Sequence, residues 1–372
     1  MRRSWFVLFA AAGLLAVAGF VDPLREQVWA PLVAAPLTRT ISRAFGLLPT
    51  SAAEVIEGTF FLLLLGALVR IIRSVIRRQR AEAVQQASTL AIVLAAVVVS
   101  FYTLWGLHYA DKPLATRLGW NAASPDTEEI LDLGARLVDV TNQAKAEIPA
   151  DGPQIDQDQA IEVGLSIAIA RLGLPSHHLP YSGPAKPLRL GGRLVAGLGI
   201  SGFYFPFTAE ANIVPGQPEW YAAFVSAHEK AHQRGFASED EANFIGFLGA
   251  IHSADPLVRY GGWLFAQRQA LTAAQRTHPG PVQVEVKRRL PEVQADVLAL
   301  RAFWQQFEGP GQDVGHALND AYLRINRVEG GTAAYGESLR LIAAWARTQG
   351  QARMQDQGAP SGNPSSSSST SW

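Results

Sequence analysis

The chain divides by the spacing of its apolar residues. Residues 4–21, 55–72 and 88–107 are dominated by Leu, Val, Ile, Ala and Phe. Each run approaches the ~20 residues that cross a hydrocarbon core, which predicts three membrane helices within a membrane domain of residues 1–110. The first run also has the form of a signal peptide, with Arg2 and Arg3 before it and Ala16-Val17-Ala18 near its end. Two further spans ahead of any hydrophilic domain favour an uncleaved anchor.

After residue 110 the apolar positions recur at helical spacing. Amphipathic helices are predicted over 126–148 and 157–172, then over about 218–234, 243–252, 257–277, 281–306, 316–325 and 332–349. Between the second and third of these, residues 188–200 and 202–214 are broken by Gly and Pro and read as two or three short strands. The expected fold is mainly α: three N-terminal membrane helices, then an α+β soluble domain over 111–350 with a small sheet ahead of its central helix. The tail, 351–372, is largely Ser with Gly and Pro and cannot bury a core, so disorder is expected there.

Arginine is unevenly placed. Arg2 and Arg3 precede the first run, and Arg70, Arg73, Arg77, Arg78 and Arg80 crowd the connection between the second and third. The positive-inside rule puts these in the cytoplasm and leaves the loop 22–54, and everything after about Tyr109, on the other side. The 32 basic and 32 acidic residues balance, which argues against a nucleic-acid partner. With no cysteine in the chain, a metal has to be held by His and carboxylates.

Residues 228–232 read His-Glu-Lys-Ala-His. On a helix, positions i and i+4 share a face, so His228 and His232 can hold one Zn²⁺ while Glu229 reaches the water to be activated. Gly235 marks the end of that helix, and Ser238-Glu239-Asp240-Glu241 has the form of a capping box opening the next, with Glu241 reaching back to the cap. A catalytic zinc takes three protein ligands, and the third here is Glu239, with Glu241 as the fallback. Glu239 is favoured because Asn243 follows one turn later, where it can bond a ligand His. Six residues separate His232 from Glu239, a short connection between two helices. The plain alternatives are a polar helix face for 228–232 and dipole-stabilising first-turn carboxylates for Glu239 and Glu241. Tyr322 and Tyr335 are candidate donors to a developing oxyanion, or packing residues. Glu210 is expected to face solvent, and His108 to lie at an interface or surface.

Trp105 to Ala110, Phe205 to Asn212, Ala227 to Phe244 and Asn319 to Leu323 together resemble a family of bacterial membrane proteins, domain of unknown function 3810. The resemblance covers roughly residues 100–345 and implies three membrane helices ahead of the HExxH region. More broadly, HExxH followed by ExxAN is similar to gluzincin-type metallopeptidases. That likeness implies a zincin-like domain, a zinc-activated water and peptide hydrolysis, with a strand around 204–213 flanking the cleft. The expectation is therefore a zinc metallopeptidase anchored in the bacterial inner membrane, with its soluble domain extracytoplasmic and an unidentified peptide or protein as substrate. The competing expectation is a non-catalytic, zinc-stabilised membrane sensor or scaffold.

Overall fold

The computed structural model describes residues 10–15, 17, 19, 21–121, 123–151, 155–178, 183–309, 311–313, 315, 317 and 338–348. The segment 22–54, expected as a loop, is helical for most of its length. A wide π-type helix, Arg25–Ala34, carries Pro31 and runs directly into α1 (Ala35–Gly46).

Two helices among the described residues, not three, are long and apolar enough to cross a membrane: α2 (Ala52–Ile76) and α3 (Arg80–Leu104). Half of the first expected span, 4–21, falls outside the described residues. Ser51 caps α2, its Oγ accepting from the Glu54 N–H at 3.3 Å. The α2–α3 turn holds Arg78 at φ +59°. No part of the apolar window of either helix is buried by protein, and Phe61, Leu62, Leu63 and Val84 point outward. A core helix of a water-soluble domain would have these side chains covered.

The remaining helices are α4 (Thr127–Ala146) and α5 (Gln157–Arg171), each capped by an Asp side chain, Asp126 and Asp156. Next comes β1 (Lys186–Pro187). Residues 188–200 are not a strand: Gly191 and Gly192 let the chain turn into a short helix, α6 (Gly192–Gly197). β2 (Gly202–Phe205) and β3 (Glu210–Ile213) form an antiparallel hairpin, with β1 parallel to β3, giving sheet order β1-β3-β2. The helices α7 (Glu219–Gln233), α8 (Glu239–Ile251) and α9 (Pro256–Gln275) follow. The single helix expected over 281–306 is two, α10 (Pro279–Lys287) and α11 (Pro291–Gln305), because Pro291 cannot continue a helix and instead starts one. A last helical stretch covers 338–348, and the Asp240 carboxylate accepts from the Ser338 N–H at 3.0 Å. The helix expected over 316–325 lies outside the described residues.

The main core gathers Leu133 and Leu137 of α4, Leu165 of α5, Phe224 of α7, Phe244 and Phe247 of α8 and Leu264 of α9 around α8. This sheath fixes α7 against α8, and that pair positions the candidate site.

Candidate metal centre

α7 ends in a Schellman turn. The Gly235 N–H bonds the His232 carbonyl at 2.9 Å and the Phe236 N–H bonds the Ala231 carbonyl at 3.3 Å. Gly235 sits at φ +90°, and a Cβ there would lie 2.6 Å from the His108 ring, so both backbone conformation and space demand glycine. The turn reverses the chain within two residues, which is how so short a connection closes. It also brings the Phe236 carbonyl back to His232, whose Nδ1 donates to it at 2.7 Å. That bond commits Nδ1 to the backbone and leaves Nε2 as the nitrogen that faces the cluster, the one a metal would take in place of its proton.

His228 and His232 lie one turn apart with Nε2 atoms 3.1 Å from each other. Glu239, the first residue of α8, faces both: Oε2 is 3.3 Å from His228 Nε2, and Oε1 is 3.6 Å from His232 Nε2. Tetrahedral ligation with bonds of about 2.0–2.1 Å puts ligand atoms about 3.3 Å apart, and the His–His separation and the approach of one Glu239 oxygen to each histidine are of that size. The donor set fits a small divalent cation. Glu229 stands outside it, with Oε1 4.0 Å from His228 Nε2, and His228, Glu229 and His232 offer ligand atoms all within 4.8 Å of one another.

The electrostatics agree with this geometry. Burial pushes the Glu229 carboxyl up to about 7, against the pull of His228 and His232. Its Oε2 is buried with no hydrogen-bond partner among the described residues, whereas the Tyr204 N–H of β2 bonds the carboxylate. For His232, burial lowers the pKa, but the Glu239 carboxylate outweighs it and raises the ring to about 9. For Glu239, burial opposes ionisation, yet the charge of His232 and hydrogen bonds from both histidines hold it well below the ordinary carboxylate range. The cluster thus attracts one or more positive charges. The Glu239 side chain is 44% exposed, so solvent reaches the cluster at that residue.

Glu241 does not reach this cluster, nor does it fold back to close a capping box. Its carboxylate accepts from the Leu114 N–H at 2.6 Å and from Arg117 Nη2 at 2.7 Å, and Ser238 caps α8 without a side-chain hydrogen bond. Asn243 is half-buried on α8 and bonds neither histidine among the described residues. Tyr322 and Tyr335 lie outside the described residues.

One expectation about an outlying residue is corrected. Glu210 does not face solvent. It is buried against Lys186 at 2.6 Å, and it accepts from the Ala52 and Ala53 N–H groups at 3.2 and 2.9 Å, at the N-terminus of α2. His108 is half-buried just past α3, bonded to Asp111 at 2.9 Å, and Asp111 in turn bonds Arg25.

The sequence reading missed Trp105, whose indole N–H donates to the His232 carbonyl at 2.9 Å, and Gly202 of β2. A Cβ on Gly202 would meet Glu229 Oε1 at 2.9 Å, so glycine lets the strand run against the Glu229 carboxylate. A glycine inside a strand pattern is the signal that could have pointed there. A separate cavity of about 920 Å³, lined by Lys112, Arg117, Arg171, His177 and His252 among others, includes none of the four cluster residues in its wall.

The chain belongs to the family described as protein of unknown function (DUF3810), whose model matches residues 32–343. No curated protein and no solved structure matches it.

Proposed function

We propose that this member of the DUF3810 family is a membrane-anchored zinc-dependent hydrolase of peptide bonds. The observation that carries the reading is the convergence of His228, His232 and Glu239 at ligand spacing beside the buried, unpartnered Oε2 of Glu229. Zn²⁺, with no redox chemistry and a liking for two imidazoles and a carboxylate, suits the donor set; when bound it polarises a carbonyl and lowers the pKa of water toward neutrality.

The chain's own residues do the rest. Glu229 accepts the proton of the attacking water at Oε2 and delivers it to the leaving amine nitrogen, a task suited to a carboxyl raised by burial. The Phe236 carbonyl holds His232 Nδ1 and leaves Nε2 facing the cluster. In the sheet order β1-β3-β2, β2 is at the edge, and its outer side can receive an extended peptide through main-chain hydrogen bonds. The arginines at the α2–α3 turn lie at the end of the hairpin away from the cluster, and by the positive-inside rule they support a cytoplasmic turn and an extracytoplasmic cluster.

The test is hydrolysis of an unstructured protein by the zinc-loaded full chain. Glu229→Gln is expected to keep its zinc and lose activity by about 10²–10⁴-fold. Cleavage at the wild-type rate by Glu229→Gln would overturn the assignment. A zinc site saturated by four protein ligands would instead favour a scaffold or sensor.

A further inference from the structure

One apolar helix ends against the helix that carries the cluster histidines, and the other starts on the sheet beside it. α3 stops at Leu104, and the next residue, Trp105, donates its indole N–H to the backbone of His232 at 2.9 Å, with ring centroids 6.1 Å apart. The same indole lies 5.6 Å from Tyr204 of the edge strand β2 and 5.2 Å from Tyr109. The end of an apolar helix long enough to span marks the level where lipid headgroups begin, and Trp105, itself covered by protein, sits at that level. Trp29, on the π-type helix and likewise buried, donates to the Thr103 carbonyl at 2.9 Å and packs this end of α3 against the domain.

α2 is fastened to the same domain at the same end. Glu210 and Asn212 of β3 hold Ala52, Ala53 and Ser51, while Glu54 accepts from the Arg189, Leu190 and Gly191 N–H groups at 2.7, 2.9 and 2.7 Å. Around this junction the domain shows bare leucines: Leu47 is 86% exposed, Leu190 81% and Leu194 73%. Three nearly naked leucines beside the start of a membrane helix are costly in water and favourable against acyl chains. The domain therefore rests on the bilayer, and the cluster stands one tryptophan side chain from the end of α3.

Building on the hydrolase reading above, we propose that the substrate is a membrane-tethered polypeptide, cut close to its tether at the bilayer surface. An extended chain advances about 3.4 Å per residue, so a site this near the headgroups meets bonds within roughly ten residues of the point where a substrate leaves the membrane. The β2 edge, between Trp105 and Glu229, is where that juxtamembrane stretch lies. In the reaction, water adds to the carbonyl carbon, the C–N bond breaks, and the new amine takes the proton. One product stays in the membrane and the other is released.

The experiment uses the full chain, zinc-loaded, in vesicles of phosphatidylcholine and phosphatidylglycerol. The probes are peptides of mixed sequence in three forms: free, or coupled at either end to phosphatidylethanolamine through a spacer of roughly four or roughly thirty residues. Cut sites are mapped by mass spectrometry, with Glu229→Gln as the blank. The expected result is cleavage within about ten residues of the lipid for both spacers, with the free peptide at least about tenfold slower. Cuts spread along the whole long spacer, or a free peptide cleaved as fast as the short-spacer one, would overturn the tether proposal and leave the hydrolase intact. Absence of cleavage in every form by a zinc-bound enzyme would overturn both.

Discussion

His232 is held from two sides, by Phe236 at its ring and by Trp105 at its carbonyl, whereas Glu239 approaches from a different helix. Removing Glu239 should therefore strip the metal and leave the fold, while removing Glu241 should do the reverse. Glu239→Ala is expected to lose bound zinc on elemental analysis. Glu241→Ala should retain it but lose about 1–3 kcal/mol of stability, since Arg117 and the Leu114 N–H lose a partner. Zinc lost in Glu241→Ala alone would reverse the assignment. Asp111 carries a pH signature. Burial would raise its pKa, but the hydrogen bond and charge of His108 and the hydrogen bond from Arg25 bring it down from 3.8 to about 2. A carboxyl depressed on folding stabilises above its unfolded pKa and loses that effect as pH falls through the folded one, here between 3.8 and about 2. The stake is about 2 kcal/mol at neutral pH and about half of that near pH 3. Asp111→Asn should lower the thermal midpoint in detergent at neutral pH, with the gap to wild type narrowing near pH 3; a gap constant with pH would contradict this. His228, Glu229, His232 and Glu239 were legible because their spacing is itself the chemistry. Glu210 and Trp105 were not, because their partners lie far away in sequence, in Ala52 and His232.

Among the elements, α7 was readable almost to the residue, with Gly235 as its stop signal, whereas α8 starts at Glu239, four residues ahead of the helix expected over 243–252. The closeness of the two helices was not readable. A Cβ on Gly246 would come within 3.0 Å of the His228 N and Cα, so α8 lies almost backbone to backbone on α7. Gly246→Val should push the helices apart, costing about 1–3 kcal/mol, and should weaken zinc binding because Glu239 moves with α8. Unchanged metal affinity in a destabilised Gly246→Val protein would show that the cluster is less dependent on this contact than its distances imply. The misread elements have local causes. Residues 188–200, short apolar stretches broken by Gly, read as strand, yet the chain turns at Gly191 and Gly192 into α6. The break before Pro291 was present in the sequence, and helical periodicity on both sides concealed it. Segment 22–54 has no apolar run long enough to announce itself; its π-type helix follows from packing of Trp29, Ala30 and Ala34 against Leu107.

At the scale of the whole molecule, the two apolar helices and the helical domain share buried polar fastenings, chiefly Lys186–Glu210 with the start of α2 and Arg25–Asp111 with the end of α3. Buried ion pairs of this kind are strongly destabilising to break from one side, about 3–5 kcal/mol, so the domain is held in one pose on its helices. Composition bounded this architecture correctly in kind, but only the folded chain brings Trp105 to the metal helix. The most direct test of the account is X-ray absorption at the zinc edge of the zinc-loaded full chain. The prediction is one zinc per chain with two imidazole nitrogens, one carboxylate and a further oxygen from solvent, at about 2.0–2.2 Å. A folded protein that binds no zinc, or one whose zinc is enclosed by four protein ligands, would contradict it.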